Sequence, residues 1–401
     1  MSYGNSYNGN YPIPLAPPPA TAPEPSAVDR RSAMRERADM LREPSRMNIS
    51  QKLKTISPQE MEGLKKQGFT TGLARAVASN RNYFSLCIWI VDNSGSMGKS
   101  DGHRLVETVR TNDVVSVPCT RWEEIQQTVE YHIRMAGVTH APHIFRLLND
   151  PGAFVGPQLF SVALETDSDV ESDVSNAMNV IRQARPGGVT PLTPHILEIK
   201  AEVQAMAPQL QRTGRKVTIV IATDGIPTDE FGYEQRDEFV QALRSLEGLP
   251  LWIVVRLCTD EEAVVNFYND LDEHLELSLE VLDDLEGEAE EVYEYNKWLN
   301  YALPLHRCRE MGFHDRVFDM IDERPLSKSD LRDFVRLVFG GDEFDGMPDP
   351  NVDWKEFRNR LAVMVKNEKM QYNPVKKKVM TWIDMKKLDK LYGDSSDCTI
   401  S

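Results

Sequence analysis

The hydrophobic positions in the middle of the chain fall into two alternating kinds of segment. Between residues 120 and 140, and again after residue 168, apolar residues recur at helical spacing. Short apolar runs typical of strands buried on both faces occur at 84–91, 143–148, 157–164, 216–222, 251–257 and 277–282. This alternation of helices and buried strands predicts an α/β fold with a doubly wound, mostly parallel sheet.

Composition changes along the chain and suggests four regions. Residues 1–45 are rich in Pro, Ser, Asn and Ala, which predicts a disordered tail. Residues 46–82 form a helical lead-in, 83–285 the α/β domain, and 286–401 a helical C-terminal region with a basic tail. Within that last region, helical patterns predict three helices, at 289–311, 328–339 and 354–366.

Two capping boxes predict where helices begin. In each, a hydroxyl residue is followed three positions later by a glutamate, so that side chain and backbone satisfy each other's hydrogen bonds. Ser57 with Glu60 predicts a short helix to about residue 68, and Thr120 with Glu123 predicts a longer helix after the second box.

Overall composition bounds the class of protein. Apolar content of 41% and charged content of 27% are ordinary for a globular chain, and a net charge of −16 argues against nucleic-acid binding. No run of about 18 apolar residues is present, and the first residues do not form a secretory signal pattern. The cysteines are scattered and odd in number, which predicts reduced thiols in the cytoplasm: Cys87, Cys119, Cys258, Cys308 and Cys398.

Polar residues follow two of the predicted buried strands directly. Asp92, Ser94 and Ser96 come after the strand at 84–91, and Asp224 comes after the strand at 216–222. The carboxyl ends of parallel strands meet at the crevice where strand order reverses, so these side chains are expected to lie together, with Thr190 from a third loop. Carboxylate and hydroxyl oxygens suit Mg²⁺, Mn²⁺ or Ca²⁺ rather than zinc.

With these residues the chain resembles a von Willebrand factor A (integrin I-like) domain that has a complete metal-ion-dependent adhesion site. The resemblance covers roughly residues 80–285. Its Asp-x-Ser-x-Ser motif matches Asp92–Ser96, its threonine motif matches Thr190, and its Thr-Asp-Gly motif matches Asp224. The resemblance implies a bound cation that keeps an exchangeable position, which an Asp or Glu of a protein partner fills. The scattered cysteines separate the chain from the secreted members of the family and predict an intracellular one.

Two features near this site stay open on sequence alone. Thr193 is a rival to Thr190, but it precedes Pro194 and is therefore the better helix N-cap, with proline at the first helical position. The insertion at 98–119 contains two strand-like runs around Thr111-Asn112-Asp113 and predicts a β-hairpin. It either walls the metal site or serves as a structural flap.

The function predicted from these residues is protein binding without catalysis. One alternative is a metal-dependent hydrolase that uses the same cation, and another is a subunit of an ATPase-driven machine. The common hydrolase patterns do not fit: Ser94 occupies the place where a haloacid-dehalogenase-type phosphatase needs a second Asp. The first glycine of a Gly-x-Ser-x-Gly elbow is also missing around Gly95, and no phosphate loop with lysine is present.

The C-terminal region carries two further signals. The final residues, Cys398-Thr399-Ile400-Ser401, resemble a prenylation box, and lysines at 376–378 and 386–387 would add affinity for anionic lipid. They predict a membrane surface as a second partner, and the alternative is a chance cysteine. The stretch 270–294 contains twelve acids and no Lys or Arg. It predicts a solvated helix face, or alternatively a surface that docks the basic segment.

Overall fold

A computed structural model describes residues 55–108, 114–166, 168–313, 315–341 and 344–393. The predicted disordered tail, the turn of the hairpin and Cys398 lie outside the described residues, so the predictions about them stay predictions. None of the described helices has the length and apolar character needed to cross a membrane.

Strands and helices alternate through the first two thirds of the described chain, and helices dominate the rest. The strands are β1 (Phe84–Val91), β2 (Gly102–Glu107), β3 (Val114–Cys119), β4 (His143–Leu147), β5 (Leu159–Val162), β6 (Lys216–Thr223), β7 (Leu251–Leu257), β8 (Leu279–Leu282), β9 (Gln371–Asn373) and β10 (Lys378–Met380). The helices up to the last strand of the central sheet are α1 (Pro58–Lys66), α2 (Thr71–Tyr83), α3 (Arg121–Thr139), α4 (Val170–Gln183), α5 (Leu192–Thr213), α6 (Arg236–Arg244) and α7 (Glu262–His274). The later helices are α8 (Leu285–Tyr295), α9 (Leu303–Glu310), α10 (Arg316–Asp319), α11 (Lys328–Phe339), α12 (Trp354–Asn367) and α13 (Met385–Tyr392).

Six strands form the central sheet, in the order β5-β4-β1-β6-β7-β8. Every pair is parallel except β4 with β5, so the predicted α/β class with a mainly parallel sheet is confirmed. After β1 the chain adds β4 and β5 on one side of it, and then β6, β7 and β8 on the other side. The strand order therefore reverses between β1 and β6. Val91 lies opposite Ala222 in this pair, so both strands end at the same level of the sheet.

Both faces of the sheet are covered by helices because the strand residues are apolar on both sides. Along β1, Leu86, Ile88 and Ile90 face a core that includes α5, α6 and α7. Trp89 and Val91 of the same strand face a second core, which α3 and α4 complete. An uninterrupted apolar strand is stable only where both faces are dry, which is the position of β1 in the middle of the sheet.

A third core joins the two ends of the described chain. Leu73 and Val77 of α2 belong to the same buried cluster as Trp298, Phe334 and Trp382 from the C-terminal region. The capping box of Ser57 and Glu60, predicted at the start of α1, is present. The described part of the lead-in, from residue 55 on, therefore packs on the C-terminal helices.

The prediction of one helix over residues 289–311 is wrong. The helix ends at Tyr295, and α9 begins only at Leu303. The buried Asn296 explains the break, because its side-chain amide donates to the carbonyls of Ile321 at 2.8 Å and Arg324 at 3.0 Å. These tertiary hydrogen bonds end the first helix, and Pro304 at the start of α9 excludes one continuous helix.

The insertion after the first strand forms the predicted hairpin, and the acidic and basic stretches meet beside it. Strands β2 and β3 pair antiparallel. The Ser116 hydroxyl donates to Glu286 of α8 at 2.9 Å, and Lys377 lies 3.3 Å from the same carboxyl group. Lys387 donates to the hydroxyl of Tyr293 at 2.9 Å. One acid of the acidic block, Glu286, therefore pairs with the basic segment. Lys377 lies between β9 and β10, and Lys387 lies in α13.

Candidate metal centre

The candidate metal centre lies where strand order reverses in the central sheet. Asp92 directly follows β1 and Asp224 directly follows β6, and both side chains are almost fully buried. The chain after Asp92 turns through a short 3₁₀ helix at Gly95–Gly98. The N–H of Gly95 donates to the carbonyl of Gly188 at 3.1 Å, which ties this turn to the loop that carries Thr190. Three loops thus converge at the crevice expected to bind ligands in such sheets.

Both carboxylate oxygens of Asp92 accept hydrogen bonds from neutral groups. The backbone N–H of Ser94 donates to Oδ1 at 2.7 Å, and the hydroxyl of Thr223 donates to Oδ2 at 2.6 Å. Within the described part of the chain, no ion pair involves Asp92. Its negative charge, buried with a relative exposure of 0%, is therefore held by dipoles alone.

Asp224 is bonded differently, through the second serine and an arginine. The hydroxyl of Ser96 donates to Oδ1 at 2.8 Å, and Nη1 of Arg121 donates to Oδ2 at 2.9 Å. The hydroxyl oxygens of Ser94 and Ser96 lie 3.0 Å apart. The motif residues thus form one connected set of oxygens, and Ser96 keeps lone pairs for a cation because it donates its own proton to Asp224.

Thr190 reaches the same place from the loop before α5. Its backbone N–H donates to the hydroxyl of Thr228 at 3.0 Å, and its hydroxyl lies 3.5 Å from the position a Cβ on Gly225 would take. Thr193 does not cap the helix as predicted, because α5 begins at Leu192 with Pro191 before it. Pro194 then sits in the first turn, where helical N–H groups have no intrahelical partner and proline costs little.

The charges of the centre do not balance. Burial, and then the charge of Asp224, raise the pKa of Asp92 to about 6. Arg121 supplies one positive charge and also contacts Asp101 and Glu261. The site thus holds two buried carboxylates and one buried guanidinium, which pairs with Asp224 and not with Asp92. A surplus negative charge therefore stays on Asp92, and a proton or a cation would neutralise it.

The residues present fit a divalent cation of the hard type. All the candidate ligand atoms are oxygens, from two carboxylates and three hydroxyls, which is the donor set of Mg²⁺, Mn²⁺ or Ca²⁺. The residues that would hold it are Asp92, Ser94, Ser96, Thr190 and Asp224. Of these, the structure connects Asp92, Ser94, Ser96 and Asp224 through a short series of contacts, and it places Thr190 beside Gly225.

Divalent binding should weaken as the solution becomes acidic. A cation must displace the proton that Asp92 holds below its raised pKa of about 6. The dissociation constant for Mn²⁺ should therefore rise by up to about tenfold for each pH unit below 6 and stay level above 7. Titration calorimetry at pH 5, 6, 7 and 8 measures this, with circular dichroism as a check that the protein stays folded. Equal affinities at pH 5 and pH 7 would contradict the assignment of Asp92 as a ligand.

Arg121 and Thr223 are the site residues that sequence reasoning missed. Thr223 was present in the Thr-Asp-Gly motif, immediately before Asp224, but its bond to Asp92 spans 131 positions. Arg121 carries no local signal beyond its place at the start of a helix, because its partner Asp224 is 103 positions away. A long-range ion pair of this kind depends on which elements become neighbours, and only the sheet topology decides that.

A second group of acids lies among the C-terminal helices. Glu288, Glu291 and Asp322 bring carboxylate oxygens within 4.8 Å of one another. Arg309 already supplies positive charge there, since its Nη1 donates to Glu288 and, at 2.6 Å, to Asp322. Burial raises the pKa of Glu288 to about 8 despite this arginine, and the buried charge of Glu288 is already countered within the protein. We assign no cation to this cluster.

Comparison with known proteins adds no identification. No model of a known protein family matches the chain, and no curated protein matches it either. The case for the metal centre therefore rests on the geometry and charge of the residues just described.

Proposed function

We propose that residues 83–285 form a von Willebrand factor A-like domain and that the chain binds a protein partner through a divalent cation. The cation would be Mg²⁺, or Mn²⁺ or Ca²⁺, held by Asp92, Asp224 and their neighbouring hydroxyls. The observation that carries this proposal is the pair of buried carboxylates at the strand reversal, whose surplus negative charge has no protein counter-ion among the described residues.

The protein groups have distinct parts in this mechanism. Asp92 and Asp224 would neutralise a divalent cation, and Ser94, Ser96 and Thr190 would add neutral oxygens that leave it electrophilic. The cation would supply Lewis acidity toward one more oxygen, which an Asp or Glu of the partner would offer. The burial of Asp92 and Asp224 keeps water away from their carboxylates.

The rim of the crevice supports binding of a protein. The loop after Asp224 holds Phe231 and Tyr233 outward, with relative exposures of 76% and 73%. The carboxylate of Asp229 accepts the backbone N–H groups of both aromatic residues at 2.9 Å, which braces the backbone of this loop. Val189, next to Thr190, lies against this loop at Gly232. Rigid exposed aromatic side chains are frequent anchors of protein interfaces.

Hydrolysis is less well supported by the contacts at the site. A metal-dependent hydrolase usually places a general base within reach of the attacking water. Among the described residues, the hydrogen-bond partners of the Asp92 and Asp224 carboxylates are hydroxyls, a backbone N–H and Arg121. The next carboxylates, Asp101 and Glu261, are both paired with Arg121 and are therefore not placed as a free base, so we favour binding over catalysis.

The proposal is tested by capture of partners at defined divalent concentration. The full chain, immobilised, should retain a protein from an extract of its own cells in Mg²⁺ and release that protein in EDTA. The Asp92→Asn variant should fail to retain it in either buffer. Substituting the partner's key Asp or Glu by the amide should reproduce the effect of EDTA, because the cation then has no charged ligand to bridge.

Three outcomes of that experiment discriminate between the alternatives. A partner retained equally in EDTA and Mg²⁺ contradicts the proposed mechanism. An ATPase among the Mg²⁺-dependent partners favours the machine-subunit interpretation. Metal-dependent turnover of a substrate by the purified chain alone, abolished in Asp92→Asn, favours the hydrolase.

A further inference from the structure

We infer that Arg121 is a built-in counter-charge of the metal centre, which keeps cation affinity low until a partner carboxylate arrives. This inference rests on the proposed function, because it concerns regulation of the same site. It assigns a positioning and tuning role to a residue outside the metal-binding motif.

The geometry of Arg121 is that of a fixed cation. It is the first residue of α3, and only 2% of its surface is exposed. Nε and Nη2 donate to the two carboxylate oxygens of Asp101 at 2.7 and 2.6 Å. Nη2 also donates to Glu261 at 3.0 Å, while Nη1 reaches Asp224 at 2.9 Å. A bidentate pair holds a guanidinium in one orientation, so the charge cannot leave the site easily.

The three carboxylates around Arg121 differ in their exposure to water. The side chains of Asp101 and Glu261 are about half exposed, at 55% and 48%, whereas that of Asp224 is at 0%. Water screens the two outer acids, but the charge of Arg121 acts on Asp224 with little screening. Arg121 thus competes with any cation for the charge of the buried Asp224 carboxylate, whose Oδ2 it contacts.

This competition has opposite effects with and without a cation. Without a cation, Arg121 neutralises Asp224 and lets the crevice fold with a single surplus negative charge on Asp92. With a divalent cation, the buried centre of Asp92, Asp224 and Arg121 carries a surplus positive charge. A partner carboxylate removes that surplus, so cation binding and partner binding should assist each other.

Three matched variants test the role of Arg121. Arg121→Gln removes the charge and keeps a polar side chain, whereas Arg121→Lys keeps the charge and loses the planar fork. Arg134→Gln is the control, because it removes one positive charge from the same helix away from the metal centre. Among the described ion pairs, Arg134 pairs with Glu130 only. Each is titrated with Mn²⁺ and followed by thermal unfolding in EDTA and in saturating Mn²⁺.

The expected pattern is specific to charge at Arg121. Arg121→Gln should bind Mn²⁺ about tenfold tighter or more, because a positive charge close to the cation is gone. It should also unfold at a lower temperature in EDTA, with the loss recovered in Mn²⁺. Arg121→Lys should stay within about threefold of the wild-type affinity, and Arg134→Gln should match the wild type in both measurements.

The outcomes separate this inference from the proposed function. Equal or weaker Mn²⁺ binding by a folded Arg121→Gln overturns the role of Arg121 and leaves the metal centre standing. Absence of Mn²⁺ binding in the wild type and in all three variants removes the proposed function itself. If Arg121→Gln is unfolded in EDTA, recovery of the wild-type melting temperature in Mn²⁺ supports the inference, and failure to recover overturns it.

Discussion

The Asp92→Asn variant should lose Mg²⁺ and Mn²⁺ binding by about 100-fold or more while becoming no less stable in EDTA. Loss of a charged ligand sharply lowers affinity at a site with only two carboxylates. The effect on stability has the opposite sign, because the buried Asp92 carboxylate is unfavourable without a cation. A pKa raised from 3.8 to about 6 corresponds to a cost of about 3 kcal/mol at neutral pH. The amide removes that cost.

The sign of the stability effect follows from proton linkage. An acid whose pKa is raised on folding binds its proton more tightly in the folded state, so the penalty is present above the folded pKa and disappears as pH falls toward 3.8. The amide introduced by Asp92→Asn would keep the local bonds, since the Thr223 hydroxyl can accept from an amide N–H as readily as it donates to an oxygen.

Calorimetric titration and thermal unfolding of Asp92→Asn, with and without Mn²⁺, measure both effects. Asp150→Asn is a suitable control, because Asp150 is exposed after β4 and its oxygen accepts the N–H of Gly152, which an amide oxygen also does. That control should bind Mn²⁺ normally. An Asp92→Asn protein that binds Mn²⁺ like the wild type would refute the metal centre. A folded variant that melts far below the wild type in EDTA would refute the charge argument.

Replacement of Glu310 by Gln should destabilise the protein by about 3–5 kcal/mol, the cost typical of breaking a buried ion pair. Glu310 is fully buried, and Nη1 of Arg307 donates to its two oxygens at 2.5 and 2.6 Å. Its Oε2 lies 2.7 Å from Nε2 of His132 in α3, and its Oε1 lies 3.7 Å from Nε of Arg256 in β7. The amide would leave Arg307 and Arg256 without this counter-charge.

The pKa of Glu310 supports this expectation. Burial by itself would raise the pKa of this carboxyl, but Arg307 and the histidines His306 and His132 hold it well below the ordinary value. A depressed carboxyl pKa means that the charged form is stabilised in the fold, and that this stability is present at neutral pH and lost in strong acid. Because Glu310 belongs to α9 while His132 and Arg256 belong to the α/β part, the loss should weaken the contact between the two regions.

Chemical denaturation of Glu310→Gln by urea measures this prediction, with tryptophan fluorescence and circular dichroism as separate probes. Glu356→Gln is the matched control, since Glu356 pairs with Arg360 on the surface of α12. Exposed pairs contribute little, so that control should unfold at the wild-type midpoint. A Glu310→Gln variant as stable as the control would show that the buried charges are satisfied by other groups.

The sequence predicts most of what depends on neighbours in the chain. The capping boxes at Ser57 and Thr120 are recognisable because their bonds join residues three positions apart. The buried strands β1 and β6 are recognisable from continuous apolar runs, and Asp92 and Asp224 are predicted as ligands because they follow those runs directly. The hairpin β2–β3 is predicted for the same reason, from two short runs around a turn.

Predictions failed where a distant contact outweighed a local preference. The helix predicted across residues 289–311 contains Pro304, which interrupts a helix and lies at the start of α9. The buried amide of Asn296 bonds to Ile321 and Arg324 and ends the first helix at Tyr295. Thr193 precedes a proline, as an N-cap often does, yet the helix begins one residue earlier, at Leu192. Backbone hydrogen bonds from Gly95 to Gly188 and from Thr228 to Thr190 fix the loop before it.

The sequence by itself therefore determined the α/β class, the two strand ends and the acidic residues at them. The tertiary structure alone decided that β1 and β6 are neighbours, that Arg121 reaches Asp224, and that Glu310 joins two regions through buried charges. The physical reason is range: hydrophobic runs and caps act over a few residues, whereas burial of a charge becomes costly only after folding removes water from it. Which group then neutralises that charge depends on which elements the sheet order has made adjacent.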